Sequence, residues 1–169
     1  MRNILIYAVL LLIFGIFINC RSEEQSAPES NVKLSGLSTD DQVREAIFRS
    51  AGLSRIGKTS INSSYYLAVD GDQDPSDQLM DYLNNGGSFL KKASRSYIPS
   101  REVGNLRDKF TDKQGARFSI SKLIWNGPDK VTATAGYYKG NLDAESCTYT
   151  LVRENGVWKI ISKDGCVVA

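Results

Sequence analysis

Apolar residues are spaced along this chain in three rhythms, and each predicts a different kind of segment. Ile4 through Ile18 is an unbroken apolar run of about fifteen residues behind Met1-Arg2-Asn3, shorter than the twenty or so that a bilayer-spanning helix needs. It fits the h-region of an export signal, with an uncleaved membrane helix as the alternative. Arg21 to about Leu37 is rich in Ser, Glu and Pro and has no apolar period, which predicts a flexible tether, because such a stretch buries too little surface to offset its ordering entropy. From Thr39 onward, Val43, Ala46, Ile47 and Ala51 fall at helical spacing. Thr39-Asp40-Asp41-Gln42 reads as a capping box and Gly52 as the stop. Ile61–Val69 fits either a strand or a second helical piece. Asp74 as cap, Pro75 at the first helical position and Asp77 three residues after the cap predict a short helix with Leu79, Met80 and Leu83 on one face. That helix stops at Asn84-Asn85-Gly86-Gly87, and 88–112 reads as loop with a helical turn or more.

The last third alternates with period two. Phe118 and Ile120, then Val131, Ala133, Ala135 and Tyr137, face one way across a turn at Asn126-Gly127-Pro128-Asp129. The runs 145–153 and 157–162 flank Asn155-Gly156, the pair that a type I′ hairpin turn demands because both central residues take positive φ. Pairing Glu154 with Val157 sets Arg153 opposite Trp158 and Leu151 opposite Ile160, so apolar side chains meet on one face.

Two resemblances follow from these residues. Phe17-Ile18-Asn19-Cys20, placed after the apolar run and before a polar stretch, resembles a bacterial lipobox, with Asn19 where Gly, Ala or Ser is usual. The resemblance implies that Cys20 becomes an acylated N-terminus and that the protein is exported to the cell envelope, the outer membrane favoured over the inner. Helices first, then a meander ending in Tyr149-Thr150-Leu151-Val152-Arg153-Glu154-Asn155-Gly156-Val157-Trp158-Lys159-Ile160, resembles the closing hairpin of cystatin-like or NTF2-like domains. This implies an α+β fold with N-terminal helices packed on a curved antiparallel four-stranded meander. The expected organisation is a signal peptide at 1–19, a lipidated cysteine and tether at 20–38, and one α+β domain at 39–169.

Charge and inventory narrow the chemistry. The formal charge is +2, and without 1–19, whose one charge is Arg2, it falls to +1, against the net basic footprint that nucleic-acid binding needs. The chain contains no histidine, which excludes imidazole-based triads and histidine-ligated zinc or haem.

Several motifs compete with plainer explanations. Gly52-Leu53-Ser54-Arg55-Ile56-Gly57-Lys58-Thr59 satisfies the P-loop pattern letter for letter, and Tyr66–Asp70 imitates its magnesium-binding strand. A phosphate loop follows a buried strand and opens a helix, whereas the segment before Gly52 has helical period, so the match reads as fortuitous and no nucleotide is expected. Asp70-Gly71-Asp72-Gln73-Asp74 begins like a calcium loop but carries Pro75 at the sixth position and Asp81 at the twelfth. A helix-capping turn explains the same acids, and no metal is expected. In the hairpin register Cys147 faces Asp164, so Cys166 is a diagonal neighbour at about 7–8 Å, just past the roughly 6.8 Å limit for a disulfide. A tail bent at Gly165 would close the gap, and a bridge is favoured over two free thiols, stabilising by about 3 kcal/mol. The stretch Lys91, Lys92, Arg95, Arg101, Arg107, Lys109, Lys113, Arg117 is net basic and 70–81 is acidic, and the two read as opposing patches or as ordinary solvated surface. Tyr65, Tyr66, Tyr82, Tyr137, Tyr138, Trp125 and Trp158 would line a pocket or fill the core.

These readings favour a non-enzymatic envelope module, held to a membrane by its N-terminal lipid, that binds an envelope protein or a small apolar ligand without a cofactor. The alternative is a small pocketed enzyme of isomerase or hydratase type, using Asp70 with Tyr66 as acid and base and neither metal nor nucleotide. A purely structural envelope component is the third reading.

Overall fold

The first helix, α1 (Thr39–Ile47), is capped one residue earlier than the capping box implies. Ser38 is the cap, its Oγ accepting from the Asp41 N–H at 3.1 Å, and Thr39 is the first helical residue. In this computed structural model the chain is described over residues 36–52, 64–85, 89–99 and 104–169. Val43 and Ile47 are fully buried on α1, and the helix widens into a π turn over Phe48–Gly52 whose Phe48 is buried beside them.

Of the ambiguous run, residues 61–63 lie outside the described residues and the rest is strand β1 (Ser64–Val69). Helix α2 (Asp77–Asn84) is capped by Ser76, whose Oγ accepts from the Leu79 N–H at 3.1 Å. Asp74 does not cap it, because its carboxylate accepts instead from the Ser94 N–H at 2.8 Å. Ser76 Oγ also donates to Asp41 Oδ2 at 2.7 Å, fastening the start of α2 to the first turn of α1. Leu79, Met80 and Leu83 are buried, the face that the spacing predicts.

The stretch read as loop holds more structure than expected: β2 (Leu90–Lys92), a 3-10 turn at Ala93–Arg95, and β3 (Ser96–Tyr97) paired antiparallel with β4 (Arg107–Asp108). The remaining strands are β5 (Gly115–Ile120), β6 (Ile124–Trp125), β7 (Lys130–Gly140), β8 (Asp143–Glu154) and β9 (Val157–Val168). Among the described residues the main sheet runs β2-β1-β5-β7-β8-β9, with β6 also paired to β7.

The fold is therefore α+β with a mixed sheet, which corrects the expectation of antiparallel strands alone. β5, β7, β8 and β9 form the antiparallel meander, but β1 pairs parallel with both β2 and β5. Parallel neighbours need a crossover, which residues 70–89 and α2 supply. A strand between two parallel neighbours is buried on both faces, so its apolar run is continuous and carries no period. Leu67 joins Phe118, Ile120, Val131, Ala133, Tyr149, Leu151 and Trp158 under the helices, and Val69 is buried beyond it. Tyr66 and Ala68 are buried as well.

The closing hairpin has the register read from Asn155-Gly156, with Leu151 opposite Ile160, Arg153 opposite Trp158 and positive φ at both turn residues. Beyond it the sequence register fails. Thr150 pairs with Ser162, and Thr148 with Asp164 but Ser146 with Val167, so β9 carries two extra residues. Together with the left-handed Gly165 (φ +57), the two bulges carry Cys166 from the diagonal position to Cys147. The two are joined by a disulfide with their Cα atoms 4.1 Å apart.

A methyl group on Gly136 would meet the backbone of Glu145 and the Ser146 Cα at 2.7 Å, atoms that cannot move without breaking the β7–β8 ladder. Gly136→Ala should lower stability by about 3 kcal/mol, read from denaturant midpoints. Gly140→Ala meets only the side chain of Asn105 and should cost clearly less.

Candidate functional site

Three places on the molecule gather polar chemistry. The first is a buried carboxylate. Asp108, at the end of β4, has no exposed surface, and its Oδ2 accepts from Tyr66 Oη at 2.7 Å and Lys91 Nζ at 2.7 Å. Its Oδ1 accepts from the N–H groups of Phe110 at 2.9 Å and Thr111 at 3.0 Å, and Lys91 reaches Ser64 Oγ at 2.9 Å as well. Burial alone would push the Asp108 carboxyl up, but the bonds from Lys91, Tyr66 and the two backbone N–H groups outweigh it and hold the group far below the usual carboxylate range. Burial, and then the hydrogen bond to Asp108, pushes the Tyr66 phenol well above its ordinary value. This pair is locked in its charge state at any ordinary pH.

The second place is a cavity of about 180 Å³ between the end of the π turn and the sheet, lined by Ala51, Phe118, Tyr137, Glu145, Tyr149 and Lys163. Glu145 Oε1 accepts from Lys163 Nζ at 2.8 Å. Among the described residues, the cluster with metal-ligand spacing is Glu145 with Cys147 and Cys166. Both sulfurs are spent on each other, so no thiolate is left to coordinate an ion.

The third place is the sheet face turned away from the helices. Thr134 stands opposite Thr148, and Thr132 opposite Thr150, which in turn faces Ser162 on β9. Since alternate residues point to the same side, this face carries rows of hydroxyls. At its Gly136 end lies a groove of about 400 Å³, lined by Ser119, Ser121, Thr134, Tyr138, Ser146 and Val167. Its walls combine methyl groups and hydroxyls, a surface suited to an extended ligand of low charge.

The residues singled out from sequence are dispersed. Asp70 and Tyr66, the proposed acid and base, do not meet: Tyr66 turns to Asp108, while Asp70 accepts from Arg44 at 2.8 Å. The calcium-like acids have separate partners, Asp70 with Arg44, Asp72 with Arg117 at 3.1 Å and Asp74 with the Ser94 N–H. Of the P-loop match only Gly52 lies within the described residues, and it follows a helix. The acidic and basic stretches are not opposing patches. They lie side by side and neutralise each other through Lys92–Asp77 at 2.5 Å and Arg117–Asp72, because the parallel crossover brings 70–81 next to β2 and β5.

The aromatic residues divide as well. Tyr66 and Trp158 are buried, Trp125 packs edge-on against Trp158 at 5.5 Å, and Tyr137 reaches both cavities. Cys20 and the apolar run before it lie outside the described residues, and among those described no helix is long and apolar enough to cross a membrane. Sequence reasoning missed Asp108, Glu145 and Lys163, for which no local signal exists. It also missed the hydroxyl face, for which the alternation Thr132, Thr134 and Thr148, Thr150 was a usable signal.

Comparison with known proteins adds no family: no protein-family model, curated protein or solved structure matches the chain.

An amide at 108 keeps one carbonyl oxygen for the Phe110 and Thr111 N–H groups but turns an NH2 group, which cannot accept, toward Lys91 and Tyr66. Asp108→Asn should therefore cost about 3 kcal/mol, against about 1 kcal/mol for Tyr66→Phe, both read by chemical denaturation. The folded carboxyl lies below its unfolded value of about 4, so its contribution is complete above that pH and declines only beneath it. The stability gap between wild type and Asp108→Asn should stay constant from neutral pH to about 5 and narrow below about 4.

Proposed function

We propose that this chain is an exported lipoprotein, anchored in the cell envelope through an acyl chain on Cys20, whose 39–169 domain is a non-enzymatic binding module. The anchor reading is supported by the short apolar run ending at Asn19-Cys20 and by the polar stretch after it, and it favours the outer over the inner membrane. The binding reading is carried by the groove on the open sheet face, about 400 Å³ with hydroxyl and apolar walls, which suits a segment of an envelope protein or a small apolar ligand. Nucleic acid is disfavoured by the near-neutral charge.

The cystatin-like or NTF2-like reading of the fold is supported by a helix packed on four antiparallel strands that end in the Asn155-Gly156 hairpin. The parallel strands β1 and β2 are additions to that plan. An enzymatic reading draws less support, because the most strongly perturbed groups, Asp108 and Tyr66, are buried and consumed in holding β1 to β4.

Metabolic labelling with a fatty acid should mark the wild type and leave Cys20→Ala unlabelled; label retained on the variant rejects the anchor. For the groove, native mass spectrometry of the purified protein should show an added mass that Thr134→Trp, which fills the groove, removes while the thermal midpoint is kept. An added mass that survives this substitution places the ligand elsewhere.

A further inference from the structure

The turn over residues 108–112 has a feature that neither cavity explains. Phe110, at its tip, is 72% exposed, and a single exposed aromatic is common enough on its own. This one, however, is rigidly presented. Its N–H and that of Thr111 donate to Asp108 Oδ1, and the Asp112 N–H donates to the Asp108 carbonyl at 3.0 Å. Asp108 cannot give way, because Tyr66 and Lys91 hold its other oxygen from beneath. The tip therefore meets a partner already ordered.

Its surroundings are cationic. The Arg95 guanidinium lies 4.1 Å over the Phe110 ring, and the Lys109 N–H donates to the Arg95 carbonyl at 2.9 Å. Arg95, Lys109 and Lys113 are exposed, and none of them forms an ion pair among the described residues; Asp74 feels Lys109 only at longer range. Of the turn's two acids, Asp108 is paired with Lys91 and Asp112 with Arg107 at 2.9 Å, Asp112 also accepting from the Tyr97 hydroxyl at 2.6 Å. Tyr97, at 37% exposure and bonded to Asp112, adds ring surface to the apolar part.

We propose that this tip docks on the head-group layer of an anionic bilayer, with Phe110 at the acyl boundary and Arg95, Lys109 and Lys113 on lipid phosphates. The pairing of an apolar centre with a cationic rim selects this partner: a soluble polyanion would satisfy the cations and leave Phe110 in water, whereas a bilayer accommodates both. The proposal deepens the anchored-lipoprotein reading, since a chain already held at a membrane meets that surface at high effective concentration.

The test places tryptophan at the tip. Full-length Phe110→Trp is reconstituted into vesicles of phosphatidylglycerol or of phosphatidylcholine, with and without brominated acyl chains, and wild type supplies the background of Trp125 and Trp158. Phosphatidylglycerol should shift the emission of the variant to the blue and brominated chains should quench it, while phosphatidylcholine and high salt should abolish both effects. Lys109→Gln or Lys113→Gln in that background should each lower the docked-to-free ratio about five-fold. Emission that ignores lipid charge overturns the proposal, and so does a shift reproduced by a soluble sulfated glycan without acyl-chain quenching. Acylation is read from label on Cys20 and docking from emission and quenching at position 110, so failure of the labelling experiment and failure of this one are separable.

Discussion

The Asp108 carboxylate is the constraint on which the parallel half of the molecule depends. It accepts four hydrogen bonds, from β1 through Tyr66, from β2 through Lys91, and from the backbone of its own turn at Phe110 and Thr111. A carboxylate taken out of water without such partners would be protonated or expelled. With them it joins three segments that the chain reaches at widely separated points. The small β3–β4 ribbon thereby covers one face of β1 and the helices cover the other, which is what a strand flanked by parallel neighbours needs.

Electrostatics elsewhere follow from the same topology. The crossover through α2 brings the acids that follow β1 beside the bases that follow it in the chain, so that most of the charge on this flank cancels locally. Exposed pairs such as Lys92–Asp77 contribute little to stability. What they leave is a short cationic rim around one aromatic at the tip, where, among the described residues, no acid remains unpartnered.

How much of this was legible depends on how local each signal is. The α1 and α2 faces, the Asn155-Gly156 hairpin and its first pairs were readable because helical spacing and a two-residue turn act over a few residues. Ser38 and Ser76 were missed as caps because residues of equal capping power, Thr39 and Asp74, stood nearby, and only context decides between them; Asp74 was drawn to Ser94. β1 was ambiguous because burial on both sides erases alternation. The meeting of Cys147 with Cys166 was readable only as a near miss, since two one-residue bulges, invisible to a pairing rule, supply the missing displacement. Asp108 left no trace at all, because a buried carboxylate is defined by partners 17 and 42 positions away.

The same two bulges act on the outer rim of the sheet. Among the described residues β9 has a neighbour on one side only, and a straight strand of its twelve residues would offer a template for another chain. The irregular spacing at Ile161 and before Cys166 interrupts that row of donors and acceptors, and Lys159 and Lys163, paired with Glu154 and Glu145, place charged side chains along it. Copies gathered side by side are thereby kept from zipping into a continuous sheet, even though Ile161, Val167 and Val168 stand exposed.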